Sequence, residues 1–286
     1  MAALVGAYQE IFSYPFMVNA FRAGTVVAVV AGAIGWFVVL RRQSFTSHAL
    51  AVVGFPGAAG AALLGISTAA GYFGFCIAAA LVIAVVPRAA GASRGEESAV
   101  TGTVQAFALA SGFLFSSLYR GFLSGISALL FGSFVGITGA QVTALLVVGA
   151  ATLAVLAAIG RPLLFASLDP EVAAARTVPV RALSVVFLLL LGAAVAEAAQ
   201  ITGALLIFAL LVAPPATAQL LTVRPGLGLL LSVTIAVAVT WAGLAFAYYV
   251  PYPTGFFITT LAFAAYVAAR ISHAVGERRA FAGGTV

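Results

Sequence analysis

Two apolar runs of about forty residues each constrain this chain more than any other feature. One extends from His48 to Pro87 without a charged side chain, and the other from Ala182 to Leu221 with only Glu197. A helix crosses a bilayer in roughly 20 apolar residues, so each run is long enough for two crossings joined by a tight turn. A soluble domain has no means of hiding such runs, because too few polar residues remain to cover its surface. The composition agrees: 64% of residues are hydrophobic and 7% charged, with a mean hydropathy of +1.20. The chain is therefore expected to be an all-α, polytopic transmembrane helical bundle.

The remaining apolar segments complete the count. Spans are predicted over about 20–40, then two within 48–87 turning near 65–70, then 99–118 and 141–159. Two more lie within 182–221, with the turn placed near Glu197–Gln200 because polar side chains are costly at mid-membrane. The last two cover about 226–249 and 254–269, which makes nine crossings. The glycine- and serine-rich stretch from Tyr119 to Ala140 reads as interfacial or re-entrant. The division expected is an interfacial segment over 1–19, a membrane domain over 20–270 and a polar tail over 271–286. The N-terminus has no basic region ahead of an apolar core, so no cleaved signal peptide is expected.

Charge sets the orientation. All 13 basic residues are arginines, and the formal net charge is +6. In a membrane protein this needs no nucleic acid, since arginines gather in cytoplasmic loops and meet anionic lipid or protein partners. Alternating nine spans with the C-terminus inside puts 11 of the 13 arginines on the cytoplasmic side, leaving only Arg22 and Arg120 outside. Tyr248, Tyr249 and Tyr252 then fall at the outer interface, where aromatic belts form.

Several chemistries are excluded or weakened. A phosphate-binding loop of the G-x-x-x-x-G-K-[ST] type requires a lysine, and the chain has none. Neither a Ser-His-Asp set nor an H-E-x-x-H helix is present. The single cysteine, Cys76, rules out an internal disulfide and reads as a small packing residue. Intramembrane carboxylates that could relay protons are scarce. A large membrane body without its own energy source points to a subunit powered by another protein, not to an enzyme. Such power would be received on the cytoplasmic stretch from Arg161 to Arg181. There Asp169 suits a helix N-cap, Pro170 the first helical position and Glu171 the positive helix end, with Arg176 at the other end. The same chemistry fits a docking helix and an ordinary capped loop helix.

With these residues in place, the chain resembles the membrane permeases of bacterial metal importers of the ABC type, those for zinc, manganese and iron. The likeness runs from about Tyr14 to Arg270. It is carried by YPFM at 14–17, FVVLRRQSF at 37–45, RGEESAV at 94–100, LLFGS at 129–133, RPLLFASLDPEVAAAR at 161–176 and GALLIFALLVAPPATAQLL at 203–221. Tyr248, Pro253 and Gly255 match the family's last turn. The resemblance implies an ABC importer permease fold and a second permease copy forming a central path. It implies cytosolic ATP-binding subunits docked around Asp169–Arg176, and an extracytoplasmic solute-binding protein. ATP would be used by the partner subunits, with no cofactor bound by this chain. The substrate implied is a divalent cation of manganese, zinc or iron, carried across a bacterial cytoplasmic membrane. The alternatives are a permease for a non-metal or chelated-metal substrate, and a stand-alone secondary transporter or channel.

One departure from that family stands out. At the start of its second span the family reads serine-phenylalanine, two residues, then aspartate-alanine-leucine-serine-histidine, with proline-glycine following. That spacing puts a carboxylate and an imidazole on one helix face, a pair suited to manganese or zinc. Here Ser44-Phe45 and Pro56-Gly57 keep the frame, but His48 stands in the aspartate position and Val52 in the histidine position. The residues expected along the substrate path are therefore His48 and, at an outer mouth, Glu197. Each also fits a plainer role, as an interfacial histidine or a solvated turn residue. Pro56, Pro214 and Pro215 are expected to break their helices, either exposing carbonyls to the path or marking a helix end. The Gly54, Gly57 and Gly60 series is expected to admit a neighbouring helix closely.

Overall fold

The structure, a computed structural model, describes residues 12–89, 94–119, 136–250 and 252–283, apart from the side chains of 87–89, 94 and 276–283. All regular structure among the described residues is helical. In chain order the helices are α1 Pro15–Leu40, α2 Ser44–Leu64, α3 Thr68–Ala89, α4 Arg94–Leu118, α5 Gly139–Leu168, α6 Pro170–Ala175, α7 Val180–Thr202, α8 Ala204–Leu221, α9 Pro225–Tyr249 and α10 Thr254–Gly283. All but the short α6 are long and apolar enough to cross a membrane, nine among the described residues.

Local chemistry accounts for the ends. Pro15 and Pro225 open α1 and α9 at a position where a missing N–H costs nothing. Thr138 and Gln141 form a reciprocal capping box at the start of α5. Gly65, at φ 70°, closes α2 in the left-handed conformation that lets the chain turn into α3. Between α1 and α2 the corner is made by Arg42, a non-glycine residue at φ 57°. Helices α7 and α8 are joined by Gly203 alone, at φ 83° and ψ 151°.

Helices α1 and α2 form the centre. α1 packs against α5, α8 and α9, while α2 packs against α3, α4, α7 and α8. In lipid there is no hydrophobic drive between helices, so close approach and polar contacts hold the bundle. Ser232 of α9 donates to the Gly32 carbonyl at 2.7 Å, Trp241 donates its indole N–H to Thr25 at 2.8 Å, and Gln219 of α8 donates to the Trp36 carbonyl at 3.0 Å. The α2–α3 seam is the tightest. A Cβ placed on Gly57 would lie 2.2 Å from the Gly71 carbonyl oxygen, and one on Gly54 only 1.9 Å from the Tyr72 ring. Tyr72 then donates to the Ala51 carbonyl at 3.1 Å, and the buried Cys76 thiol faces the Leu50 carbonyl at 3.6 Å.

Three sequence expectations are corrected. The polar stretch expected from Arg161 begins later, because α5 runs on through Arg161 and Pro162 to Leu168. The turn placed at Glu197–Gln200 lies at Gly203, so Glu197 sits within α7 and is half-buried. Pro56, Pro214 and Pro215 do not break their helices; α2 and α8 continue past them. Each proline forfeits one backbone bond, and packing in the bundle interior keeps the helix whole. Helix α10 continues to Gly283, through most of the stretch expected to be a polar tail. The segment read as re-entrant lies largely at 120–135, outside the described residues, as does LLFGS at 129–133.

Candidate functional site

His48 lies in the second turn of α2, with its ring edge-on to Phe208 of α8 at 4.7 Å between centroids. Its Nδ1 is enclosed and has no hydrogen-bond partner among the described residues. A buried polar atom without a partner is unusual and asks for a reason, such as a bound group. The helix around it is held firmly, since α3 grips the carbonyls of Leu50 and Ala51 through Cys76 and Tyr72. Pro56 cannot donate to the carbonyl of Val52, so that oxygen loses its helical partner one turn beyond His48. An imidazole nitrogen and a main-chain carbonyl thus succeed each other on α2.

The other predicted path residue is elsewhere in its surroundings. Glu197 forms no hydrogen bond or ion pair with the described residues, and it is not placed at a solvated turn. No three His, Cys, Asp or Glu side chains come together as a metal group among the described residues. Pro214 and Pro215 are buried inside α8. Pro215 frees the Leu211 carbonyl, and that oxygen faces Gly35 of α1, where a Cβ would lie 2.4 Å away. The proline pair therefore forms a helix crossing with α1.

At the arginine-rich end, Asp169 caps α6 by accepting the Val172 N–H at 3.0 Å, with Pro170 first in the helix and Glu171 in its first turn. Arg176 is the residue that closes α6, and Thr177 follows at φ 60°. Of the helix only Ala173 is buried, so its polar face is open. Arg41 was read in the sequence only as a mark of the cytoplasmic side, yet it ties this region together. Its Nη1 donates to Ser167 at 3.0 Å, one residue before the Leu168 end of α5, and its Nη2 to Ser184 at 2.7 Å, in the first turns of α7. The guanidinium also stands 5.4 Å from the Phe187 ring centroid. One side chain thus joins the α1–α2 corner to both helices that carry α6. The serines at 167 and 184 gave no sign of this, because the partners lie 126 and 143 residues from Arg41.

Nine candidate spans among the described residues, polar groups in the bundle interior and an exposed capped helix at the arginine-rich end fit a membrane permease. The profile of the ABC 3 transport family matches residues 13–273, and the chain belongs to that family. It is 27% identical over 246 residues to the manganese transport system membrane protein MntC of Halalkalibacterium halodurans, covering 86% of this chain and 83% of that protein. It is 30% identical over 250 residues to the chelated iron transport system membrane protein YfeC of Yersinia pestis, covering 87% and 84%. Among solved structures it is similar to PsaBC from Streptococcus pneumoniae in complex with Fab, with a TM-score of 0.81, 26% identity, and 93% of this chain and 95% of that chain covered. A metal-chelate type ABC transporter in an inward-facing conformation shares the fold, with a TM-score of 0.71 at 17% identity, covering 88% and 85%.

Proposed function

We propose that this permease carries a divalent transition-metal cation inward, in a complex whose ATP-binding subunits dock on α6 and whose extracytoplasmic solute-binding protein delivers the substrate. A second permease copy completes the path. The observation that carries the reading is the His48 imidazole, with its unpartnered Nδ1, at the polar position of a family frame. Membership of the ABC 3 transport family and relatives named for manganese and chelated iron support the choice of metals. Imidazole suits zinc, copper, iron and nickel better than hard carboxylate-seeking ions. ATP is hydrolysed by the partner subunits, and no cofactor resides in this chain.

Mechanically, closure of the ATPases moves α6, bounded by Asp169 and Arg176. The Arg41 bridge passes that motion to the corner that opens α2, and so to His48. Glu197 draws cations toward the outer part of α7. A chelated metal is the second reading, favoured by Val52 in the family's histidine position. The test is elemental analysis of cells lacking and overexpressing the full transporter, across manganese, zinc and iron. Accumulation of one metal with the transporter supports the proposal. Accumulation that requires an added chelator, and fails with the free cation, supports the second reading.

A further inference from the structure

A groove of about 370 Å³ opens on the outside of the bundle between α1, α5 and α9. Its walls are apolar, with Phe37 and Leu156 among them. At its arginine-rich end the lining changes to Arg161, Trp36, and Pro225 and Gly226 at the start of α9. We propose that this groove is a binding site for an anionic phospholipid of the cytoplasmic leaflet, with an acyl chain between the helices and the phosphate at that end.

Four independent features converge there. Arg161 is exposed, and it forms no hydrogen bond or ion pair with the described residues. α9 begins at Pro225 without a side-chain cap, and its N-cap residue is itself a cation, Arg224. The first N–H groups of a helix have no partner within it and carry partial positive charge, which makes such an end a receptor for phosphate. Trp36 is only 5% exposed, yet its indole N–H has no acceptor among the described residues. It packs beside Gly228, where a Cβ would lie 2.8 Å from Nε1, just past the same helix start. Arg161 and the start of α9 thus meet at one end of an apolar slot, with Arg224 adjoining the lining residue Pro225, the Trp36 indole packed beside them, and no acidic side chain among the lining residues.

The depth is also right. α5 has 30 residues, about 45 Å of helix against roughly 30 Å of hydrocarbon. Its excess length places Arg161, seven residues before Leu168, at headgroup level. Basic pockets between spans on the cytoplasmic side are where anionic headgroups are held. The leaflet follows from the arginine orientation, and the site holds whatever the substrate is.

The test is native mass spectrometry of the full-length permease, purified in neutral detergent and given equal amounts of phosphatidylglycerol and phosphatidylcholine. Preferential retention of phosphatidylglycerol is expected. In the double variant Arg161→Gln, Arg224→Gln that preference falls at least about tenfold. It is kept in Arg161→Lys, Arg224→Lys, and in Arg181→Gln, Arg270→Gln, which removes equal charge elsewhere. Trp36→Phe, which keeps the apolar wall and removes the donor, lowers retention more modestly. Equal retention of the two lipids, or an unchanged preference in the Arg161→Gln, Arg224→Gln protein, overturns the proposal. So does efficient cross-linking between copies through Ala157→Cys in native membranes, which would assign the groove to a second copy of this chain. A thermal melt of each variant in detergent separates loss of the site from loss of the fold.

Discussion

His48 and Gly57 illustrate opposite ways in which one residue can be fixed by its surroundings. The His48 ring has an enclosed nitrogen with no partner, which costs about 1–3 kcal/mol of stability. A stability-neutral role does not account for keeping it. His48→Leu, similar in volume, is expected to leave the melting temperature unchanged or raise it, while metal uptake falls by about tenfold or more. Full uptake by His48→Leu would remove His48 from the path. Gly57 is held by geometry instead. Gly57→Ala drives a methyl group into the Gly71 carbonyl, and overpacking of this kind costs about 1–3 kcal/mol. The expected outcome is loss of monodisperse protein on size-exclusion chromatography after mild heating. Gly74→Ala, on the same helix pair but with nothing within 4 Å of the new Cβ, should tolerate the change or gain stability.

Among the elements, α6 is the one whose sequence and structure agree most closely. Six residues are too few to form a stable helix alone, so the Asp169 cap, Pro170 and the flanking ends of α5 and α7 hold it. Asp169→Ala removes an N-cap worth about 1 kcal/mol. In the assembled transporter it is expected to lower substrate-dependent ATPase stimulation, whereas Asp169→Asn, which still caps, should retain it. Equal loss in both variants would mean that the carboxylate charge, and not the helix, is what matters. Helix α8 differs. Pro214 and Pro215 read as an interruption, but they lie within a continuous helix whose freed Leu211 carbonyl meets Gly35. A proline removes a donor in any context; whether the helix ends there depends on what packs against it.

For the whole molecule, the arginine bias and the nine candidate spans define one topology. Cys76 is fully buried, so single cysteines introduced elsewhere report sidedness with little background. A membrane-impermeant thiol reagent applied to intact cells should label a cysteine at Tyr252, which is exposed, and should not label one at Glu171. The reverse pattern would invert the orientation and, with it, the leaflet assigned to the groove at Arg161. The number of candidate spans, the α6 cap and the frame around His48 were all legible in the sequence. They depend on local composition, on charge and on spacings within a few residues. The end of α5, the corner at Gly203, the continuity of α8 and the Arg41 bridge were not. The last two depend on partners far along the chain: Gly35 for the prolines, and Ser167 and Ser184 for Arg41. The sequence by itself determined a helical membrane permease with one imidazole, His48, between Ser44-Phe45 and Pro56-Gly57. Only the tertiary structure decided that the imidazole nitrogen is enclosed without a partner and that three helix ends share one arginine. Membrane insertion is set by the hydropathy of each segment in turn, whereas contacts between helices form after insertion and follow shape and hydrogen bonding across the bundle.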